Sequence, residues 1–317
     1  MGFIVTAGEI LVEILADTQG HGFRQAQALT GPFPSGAPAI FIDQVGKLGV
    51  PCGMIGAVGD DDFGWLNLDR LRADGVDISA ITVIPGAATG SAFVRYRPNG
   101  ERDFIFNLKD SASGQLAIDE AGVTLLDKAT HFHLAGSSVS SDTIREVVRV
   151  IVETVKTRGG TVSFDPNVRR ELLDSTEART FFDWILERTD IFLPSGEEVF
   201  LFTAASRPDT AAAELIARGI PLVVIKDGVR GATGYRADGS IAVPAHRVDE
   251  IDPTGAGDCF CAAFVACHVL GENLEDSLRY ANAAGGRQVT VRGPMEGTST
   301  FAELDSWMEE TPVLDAG

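Results

Sequence analysis

Cysteines are few in this chain, and long apolar runs are missing. Only four of the 317 residues are cysteine. Three of them fall in one predicted helix, and none has the spacing of a tetrahedral metal site, which favours a reduced, cytoplasmic protein. No stretch approaches the roughly 20 apolar residues of a membrane span, and no basic region precedes the first apolar residues. Neither membrane insertion nor secretion is therefore predicted.

Basic residues are also in the minority. The chain has 26 Lys and Arg against 45 Asp and Glu, a formal net charge of −19. Such a charge opposes broad attraction to nucleic acid or to an anionic membrane surface. With 44% hydrophobic residues the chain can bury a large core, and one main domain is expected at this length.

Two common nucleotide-binding motifs do not occur. The chain has no G-x-x-x-x-G-K-[ST] pattern, and no G-x-G-x-x-G follows its first predicted strand. The first absence excludes a P-loop, and the second disfavours a dinucleotide-dependent oxidoreductase.

Hydrophobic periodicity predicts alternating strands and helices. Apolar runs bounded by turn residues predict strands at 3–7, 52–58, 131–134, 161–164, 191–193 and 222–225. Amphipathic spacing predicts helices at 39–48, 142–156 and 209–218. This α/β alternation predicts a doubly wound, mainly parallel sheet with helices on both faces.

Two segments depart from this alternation. Residues 91–106 read as two strands around an Asn-Gly turn, which predicts a hairpin in a small antiparallel sheet beside the main one. Residues 20–38 are rich in Gly, Pro and small side chains, which predicts a mobile substrate loop or lid rather than a core element.

A turn of small residues, Asp252-Pro253-Thr254-Gly255-Ala256-Gly257-Asp258, precedes an apolar run. Such a turn opening a helix leaves backbone N–H groups and the positive end of the helix dipole facing one point, where an anion binds. Asp258 beside that point is suited to accept a proton from an attacking hydroxyl, which predicts phosphoryl transfer. The alternative is an ordinary glycine-rich turn with Asp258 as a helix cap.

Polar residues also follow several predicted strands, where open α/β sheets bind ligands. Asp165-Pro166-Asn167-Val168-Arg169 supplies an acceptor, an amide and a guanidinium. Ser195 and Glu198 have the spacing of a capping box, which is compatible with a binding role. Lys226, Gly228 and Gly231 form a further glycine-punctuated strand end, suited either to a flat ring or to a simple turn.

These stretches together resemble the ribokinase-like (PfkB-type) carbohydrate kinases. The segment from Asp252 to Ala263 is similar to the C-terminal signature of that family. Ser35-Gly36-Ala37-Pro38-Ala39 and Gly56-Ala57-Val58-Gly59-Asp60-Asp61-Asp62-Phe63-Gly64 are similar to an N-terminal one. The resemblance implies one domain over residues 1–317, with lid segments near 9–38 and 89–110, and ATP-dependent phosphorylation of a sugar hydroxyl.

The resemblance also assigns roles to individual residues. Asp258 would be the general base, with the amides of Gly255, Ala256 and Gly257 as the anion hole. The nucleotide would be bordered by residues on four elements: Ser195, Glu198, Lys226, Gly228, Gly231 and Asn282. Mg²⁺ would be held through water by Glu198, and a monovalent cation, K⁺, is known in parts of the family near Asp252 and Thr254.

The sugar would contact Glu13, Gly36 and Arg169, together with Asp258. Ile40 stands where the family usually has Asn, and Asp43 one helical turn later is predicted to replace that polar contact. Leu108 stands near the position of an Arg that holds the carboxylate of sugar acids in some members. Since Leu cannot do so, a neutral ketohexose of the fructose or tagatose type is predicted.

Three alternatives stay open at this point. The first is a 2-keto-3-deoxygluconate-type kinase, with Lys109 or Arg97 holding the carboxylate. The second is a noncatalytic sugar or nucleotide sensor, which the presence of a general base disfavours. The third concerns assembly, since the exposed face of the hairpin could pair with a second lid to form a homodimer.

Overall fold

The computed structural model describes residues 2–99, 102–139, 141–167 and 175–314. Its strands are β1 (Ile4–Ala7), β2 (Leu11–Ala16), β3 (Leu29–Ser35), β4 (Cys52–Gly59), β5 (Ile81–Ile84), β6 (Gly90–Tyr96), β7 (Arg102–Asn107), β8 (His131–Ala135), β9 (Thr161–Asp165), β10 (Ile191–Phe192), β11 (Leu222–Lys226), β12 (Ala232–Arg236) and β13 (Gly239–Val243). Its α-helices are α1 (Ala37–Lys47), α2 (Asp62–Ala73), α3 (Glu120–Lys128), α4 (Asp142–Thr157), α5 (Thr176–Leu186), α6 (Pro208–Ala217), α7 (Ala256–Leu270), α8 (Leu274–Gln288) and α9 (Phe301–Glu310). Among these described residues, no helix combines the length and apolarity needed to cross a bilayer.

Nine of these strands form one large sheet in the order β13-β12-β11-β10-β9-β8-β1-β4-β5. The pairs from β11 to β5 are parallel, and β12 and β13 add an antiparallel edge. Helices cover both faces, so the predicted fold class is confirmed.

The core lies on both faces of this sheet. Ile4 belongs to one buried cluster and Val5 to the other, because successive side chains of a strand point to opposite faces. Val223 and Val224 divide in the same way. A strand buried on both faces needs apolar residues at every position, which is why these segments read as unbroken apolar runs.

The remaining four strands form a smaller sheet in the order β3-β2-β6-β7. The predicted hairpin is found, with β6 and β7 antiparallel, but β2 pairs with β6 in parallel, so the sheet is mixed. The expectation of a mobile excursion over residues 20–38 is wrong for its second half, which forms β3. This strand was not predicted because proline is typical of loops. Pro32 and Pro34 are tolerated because β3 lies at the edge of the sheet.

Helix α7 is buried on all sides and begins at the carboxyl ends of the parallel strands. Its residues from Cys259 to Cys267 are all buried. The Cys261 side chain contacts Asp165 and Lys226, the last residues of β9 and β11. The first turn of the helix is thereby held at the edge of the sheet where ligands bind in α/β folds.

A buried ionic network joins α1, α2 and the segment before α9. The Asp43 carboxylate is fully buried; it accepts a hydrogen bond from Thr298 Oγ1 at 2.9 Å and lies 3.3 Å from Arg70 Nε. Arg70 also donates to the Met295 carbonyl at 2.6 Å. The network therefore fixes α1 against the loop that follows α8.

Replacing Asp43 by Ala is expected to destabilise the fold strongly. The substitution removes the buried acceptor of Thr298 Oγ1 and of Arg70 Nε, although Arg70 keeps Asp74 at 2.7 Å; loss of these contacts costs about 1–3 kcal/mol. The matched control is Asp69→Ala, which removes an exposed ion pair with Arg72 and should cost at most about 1 kcal/mol. Urea unfolding of both variants measures the difference, and equal losses would contradict a structural role for Asp43.

Candidate functional site

The turn before α7 is held in place by Asp252. One carboxylate oxygen accepts hydrogen bonds from the Thr254 N–H at 3.0 Å and the Thr254 hydroxyl at 2.7 Å. The other accepts from the Gly293 N–H at 3.1 Å. Gln288 Nε2 bridges the carbonyls of Thr254 and Gly293, at 3.0 and 2.7 Å. A buried carboxylate and a buried amide thus fix the shape of this turn.

Glycine is required at position 255. Its φ is +81°, and a Cβ atom there would lie 2.3 Å from the Pro294 carbonyl oxygen. Gly255 is the N-cap of α7 and has no capping side chain. The interpretation of Asp258 as an ordinary cap is therefore not supported.

The first turn of α7 presents free backbone donors. The described residues offer no hydrogen-bond acceptor to the N–H groups of Gly255, Gly257 and Asp258, and the Ala256 N–H reaches the Pro253 carbonyl only at 3.4 Å. Orphan N–H groups at the positive end of a 15-residue helix attract an anion. The turn is therefore built to bind a group such as a phosphate.

Asp258 lies beside these donors in a site that favours its neutral form. Burial and the nearby charge of Asp165 raise the pKa of Asp258 well above its usual range, while the Lys226 ammonium opposes the shift. Glu9 and Glu13 contribute further in the upward direction. A carboxylate with a raised pKa is a stronger proton acceptor once ionised, as a general base requires.

This turn separates two cavities. Pro253, Ala256 and Gly257 line one of about 660 Å³, which we call the glycine-lined cavity. Thr254, Gly255 and Asp258 line the other, of about 740 Å³, which we call the carboxylate-lined cavity. An anion on the orphan N–H groups would therefore lie between two bound molecules, one in each cavity.

The glycine-lined cavity is largely apolar. It is bordered by Gly228, Gly231, Gly285 and Gly286, which have no side chains to occupy it. Apolar residues such as Phe260 form another part of its wall. Asn282 also lines it, and its Nδ2 donates to the carbonyls of Val243 and Pro244, at 3.0 and 3.2 Å. A planar ring fits in such a cavity.

Ser195 and Glu198 follow β10 and lie near Lys226, the last residue of β11. Glu198 Oε2 accepts a hydrogen bond from the Ser195 N–H at 2.7 Å, so the predicted capping interaction is present. Ser195 lines the glycine-lined cavity together with Lys226. Burial lowers the pKa of Lys226, but Asp165, Cys261 and the Glu198 carboxylate raise it further, so Glu198 is near that ammonium.

No protein cage for a metal ion is found. Within the described residues, no three or more His, Cys, Asp or Glu side chains converge at metal-binding distance. A single carboxylate such as Glu198 fits Mg²⁺, which keeps several waters and takes phosphate oxygens as its other ligands. Both carboxylate oxygens of Asp252 accept internal hydrogen bonds, and K⁺ binding near Asp252 and Thr254 stays a prediction.

The carboxylate-lined cavity has an unsatisfied acceptor at Glu13. Its Oε1 accepts from the Ser35 hydroxyl at 2.8 Å, and its buried Oε2 has no hydrogen-bond partner. Burial raises the pKa of Glu13 to about 7, although the Ser35 hydrogen bond works against the shift. A buried acceptor without a partner is costly unless a ligand completes it. Gly36 lies beside it in the cavity wall.

A second carboxylate lines the same cavity. Glu9 Oε1 accepts from the Ser137 hydroxyl at 2.8 Å, and Glu9 Oε2 accepts from the Ser138 hydroxyl at 2.6 Å. Sequence reasoning did not assign this group. The two serines directly follow β8, and the rule that ligands bind at strand ends would have pointed to them.

The smaller sheet forms one wall of the carboxylate-lined cavity. Phe104, Phe106 and Leu108 contribute an apolar wall. Arg102 Nη1 donates to Thr254 Oγ1 at 2.6 Å, which joins β7 to the turn before α7. This contact was also not expected from the sequence, because 152 residues separate its partners.

Asp43, a predicted sugar contact, is not among the described residues that line this cavity. Asp43 faces Arg70 and Thr298 in the buried network, so its carboxylate does not replace the missing Asn, and Ile40 alone reaches the cavity wall. The physical reason is the competing polar contacts, since Arg70 Nε and Thr298 Oγ1 hold the Asp43 carboxylate although it is only one helical turn from Ile40. Arg169 lies outside the described residues, and its assignment stays a prediction.

Comparison with known proteins agrees with this geometry. The profile of the pfkB family carbohydrate kinases matches residues 1–300. Fructokinase-1 of Zea mays is 33% identical over 316 residues, which cover 97% of this chain and 98% of that protein. An E. coli protein provisionally named ribokinase II, solved in complex with ATP and Mg²⁺, superposes with a TM-score of 0.94 at 49% identity, covering 98% of this chain and 100% of the other.

A fructokinase provides a more distant comparison. The enzyme of Vibrio cholerae O395, solved with fructose, ADP and a calcium ion, superposes with a TM-score of 0.82 at 25% identity, covering 97% of this chain and 99% of the other. The resemblance noted in the sequence is thereby confirmed. The chain belongs to the pfkB family of carbohydrate kinases and is an ATP-dependent sugar kinase.

Proposed function

We propose that the sugar acceptor is a neutral ketohexose of the fructose or tagatose type. The observation that carries this proposal is the buried, unpartnered Oε2 of Glu13 in the carboxylate-lined cavity. A sugar hydroxyl would donate a charge-assisted hydrogen bond to it. The carboxylate of a sugar acid would instead be repelled by Glu13 and by the neighbouring Glu9.

The apolar side of the cavity supports the same choice. Leu108 lies in the wall where a sugar acid would need a guanidinium. Arg102 also borders the cavity, but its Nη1 donates to Thr254. Lys109 is the remaining described cation of the wall, and it is the residue that a 2-keto-3-deoxygluconate-type kinase would use.

In the proposed reaction, ATP lies in the glycine-lined cavity with its γ-phosphate on the orphan N–H groups of α7. Asp258 takes the proton of the attacking hydroxyl, and the backbone donors stabilise the charge that develops on the transferring group. Mg²⁺, bound with the phosphates near Glu198, would neutralise part of that charge. The smaller sheet acts as a lid that excludes water, since Arg102 already joins it to the turn.

A panel of acceptors with coupled detection of ADP tests the sugar assignment. Fructose and tagatose are expected to give the highest kcat/KM among ketohexoses, ribose, 2-keto-3-deoxygluconate and nucleosides. Ribose is included because of the name of the E. coli relative. A preference for the keto-deoxy acid would favour the Lys109 alternative, and sugar binding without ADP release would favour a sensor.

Asp258→Asn is expected to lower kcat by about 10²–10⁴-fold, the usual contribution of a general base. The amide keeps the size of the side chain but cannot accept the proton. Dissociation constants of ATP and of the sugar, measured by calorimetry, should change little. Near-normal turnover in this variant would remove Asp258 from the base role.

Glu13→Gln is expected to weaken sugar binding and stabilise the free protein at the same time. Because folding raises the pKa of Glu13 from 4.5 to about 7, its contribution to stability is complete below pH 4.5 and is lost as the pH rises to 7. Above that pH the buried carboxylate costs about 3 kcal/mol.

Thermal unfolding of the sugar-free protein at pH 5 and pH 8 tests whether the contribution of Glu13 to stability falls as the pH rises. The variant should gain stability over the wild type at pH 8 and much less at pH 5, whereas the exposed control Glu309→Gln should show no such difference. The sugar KM should rise about 10- to 100-fold, as for loss of a hydrogen bond to a charged group. An unchanged KM would exclude Glu13 from the sugar site.

We also propose that the lid pairs with that of a second copy. Strand β7 is an edge of the smaller sheet, and its Phe104 and Ile105 side chains are 36% and 51% exposed. Exposed apolar residues on an unpaired edge favour association. Light scattering at several protein concentrations measures the oligomeric state, and a monomer at every concentration would reject the proposal.

A further inference from the structure

Lys226 is held in a buried cluster that the proposed reaction does not yet use. Its Nζ lies 2.6 Å from Asp165 Oδ2 and 3.3 Å from Cys261 Sγ. Asp165 is 3% exposed and Lys226 is 7% exposed. The other carboxylate oxygen of Asp165 accepts the Asn167 N–H at 3.3 Å. The ammonium is therefore fixed by groups on β9 and α7.

The Lys226 ammonium lies beside the turn that opens α7. A Cβ atom built on Gly257 would lie 3.8 Å from Lys226 Nζ, with no nearer neighbour. Lys226 and Gly257 both line the glycine-lined cavity. A phosphate bound at the Gly257 N–H would therefore be within reach of the ammonium.

One N–H donor of the Lys226 ammonium remains for a hydrogen bond to a phosphate. An ammonium group carries three N–H donors. Two are directed at Asp165 and Cys261, and the third is available to the cavity that the side chain borders. Burial alone would lower the pKa of Lys226, but Asp165, Cys261 and Glu198 raise it further than burial lowers it. The group that faces the cavity is therefore a cation.

We propose that the third N–H of Lys226 binds the γ-phosphoryl group as it is transferred. This inference rests on the proposed transfer at Asp258 and is independent of which sugar is the acceptor. The sugar oxygen forms a bond to phosphorus, the bond between phosphorus and the β,γ-bridging oxygen breaks, and ADP leaves with that electron pair. The hydroxyl proton goes to Asp258, and Lys226 transfers no proton.

The competing explanation is that Lys226 only neutralises Asp165. Buried ion pairs are often replaceable without loss of stability when both partners are removed. Removing Lys226 alone would leave the Asp165 carboxylate buried without a counter-charge, and a loss of activity would then be ambiguous. The test therefore compares the two lysine states in a background where Asp165 carries no charge.

The experiment measures Lys226→Met in the Asp165→Asn background, beside Asp165→Asn alone. Calorimetry with Mg²⁺ gives the dissociation constants of ADP and of β,γ-imido-ATP, so that their ratio isolates the γ-phosphate. Lys226→Met is expected to weaken the imido analogue by about 10- to 100-fold and to leave ADP affinity within about threefold, with no fall in the melting temperature. kcat should fall by at least the same factor.

Lys128→Met is the matched control, since that side chain is 50% exposed and pairs with Asp77. Its ligand affinities should equal those of the wild type. An unchanged ratio of the two dissociation constants on adding Lys226→Met would overturn the inference, as would an equal loss for both ligands. Because the ratio needs no sugar, a failed acceptor panel with a changed ratio would reject the ketohexose and leave Lys226 in place.

Discussion

The site depends on the hydrogen bonds that Asp252 makes to Thr254 and Gly293. These bonds, with the Gln288 amide, hold a turn in which the N–H groups of Gly255, Gly257 and Asp258 have no partner among the described residues. Unpaired donors are costly in a buried position unless a ligand accepts from them. A rigid turn keeps them aligned without an anion, so little reorganisation is needed when a phosphate binds.

The turn also organises the two cavities. Its residues divide between the two, and Gly257 borders the glycine-lined cavity while Asp258 borders the other. The anion site and the proton acceptor are thus adjacent in the chain but open toward different ligands. This geometry suits transfer of a group from one bound molecule to another, with the lid joined to the turn through Arg102 and Thr254.

Charge in the site is arranged by burial as much as by contact. Burial and nearby carboxylates raise the pKa of Glu13 and of Asp258, whereas Asp165 raises the pKa of Lys226 against the effect of burial. Of these, Lys226 has its counter-charge built in at Asp165, whereas Glu13 has an oxygen without a partner. The charge of Lys226 is thus compensated within the protein, whereas one oxygen of Glu13 is open to a ligand.

Sequence reasoning succeeded where the signal was local and failed where it was not. The buried strands and the turn at Asp252 were predictable because apolar runs and small-residue turns are properties of neighbouring residues. Strand β3 was missed because proline at a sheet edge looks like a loop. Asp43 was misplaced because helical spacing says which side chains are near each other along a helix, but not which of them faces a cavity.

The sequence by itself determined the α/β fold class and the small-residue turn that opens a helix with Asp258 beside it, since residue type and local pattern suffice for these. Tertiary structure alone decided that Glu13 has an unpartnered oxygen, that Glu9 joins Ser137 and Ser138, and that Lys226 joins Asp165. These groups are brought together by parallel strands or by the lid, and Lys226 and Asp165 are 61 residues apart in the chain. Such contacts depend on packing between distant segments, which no local pattern records.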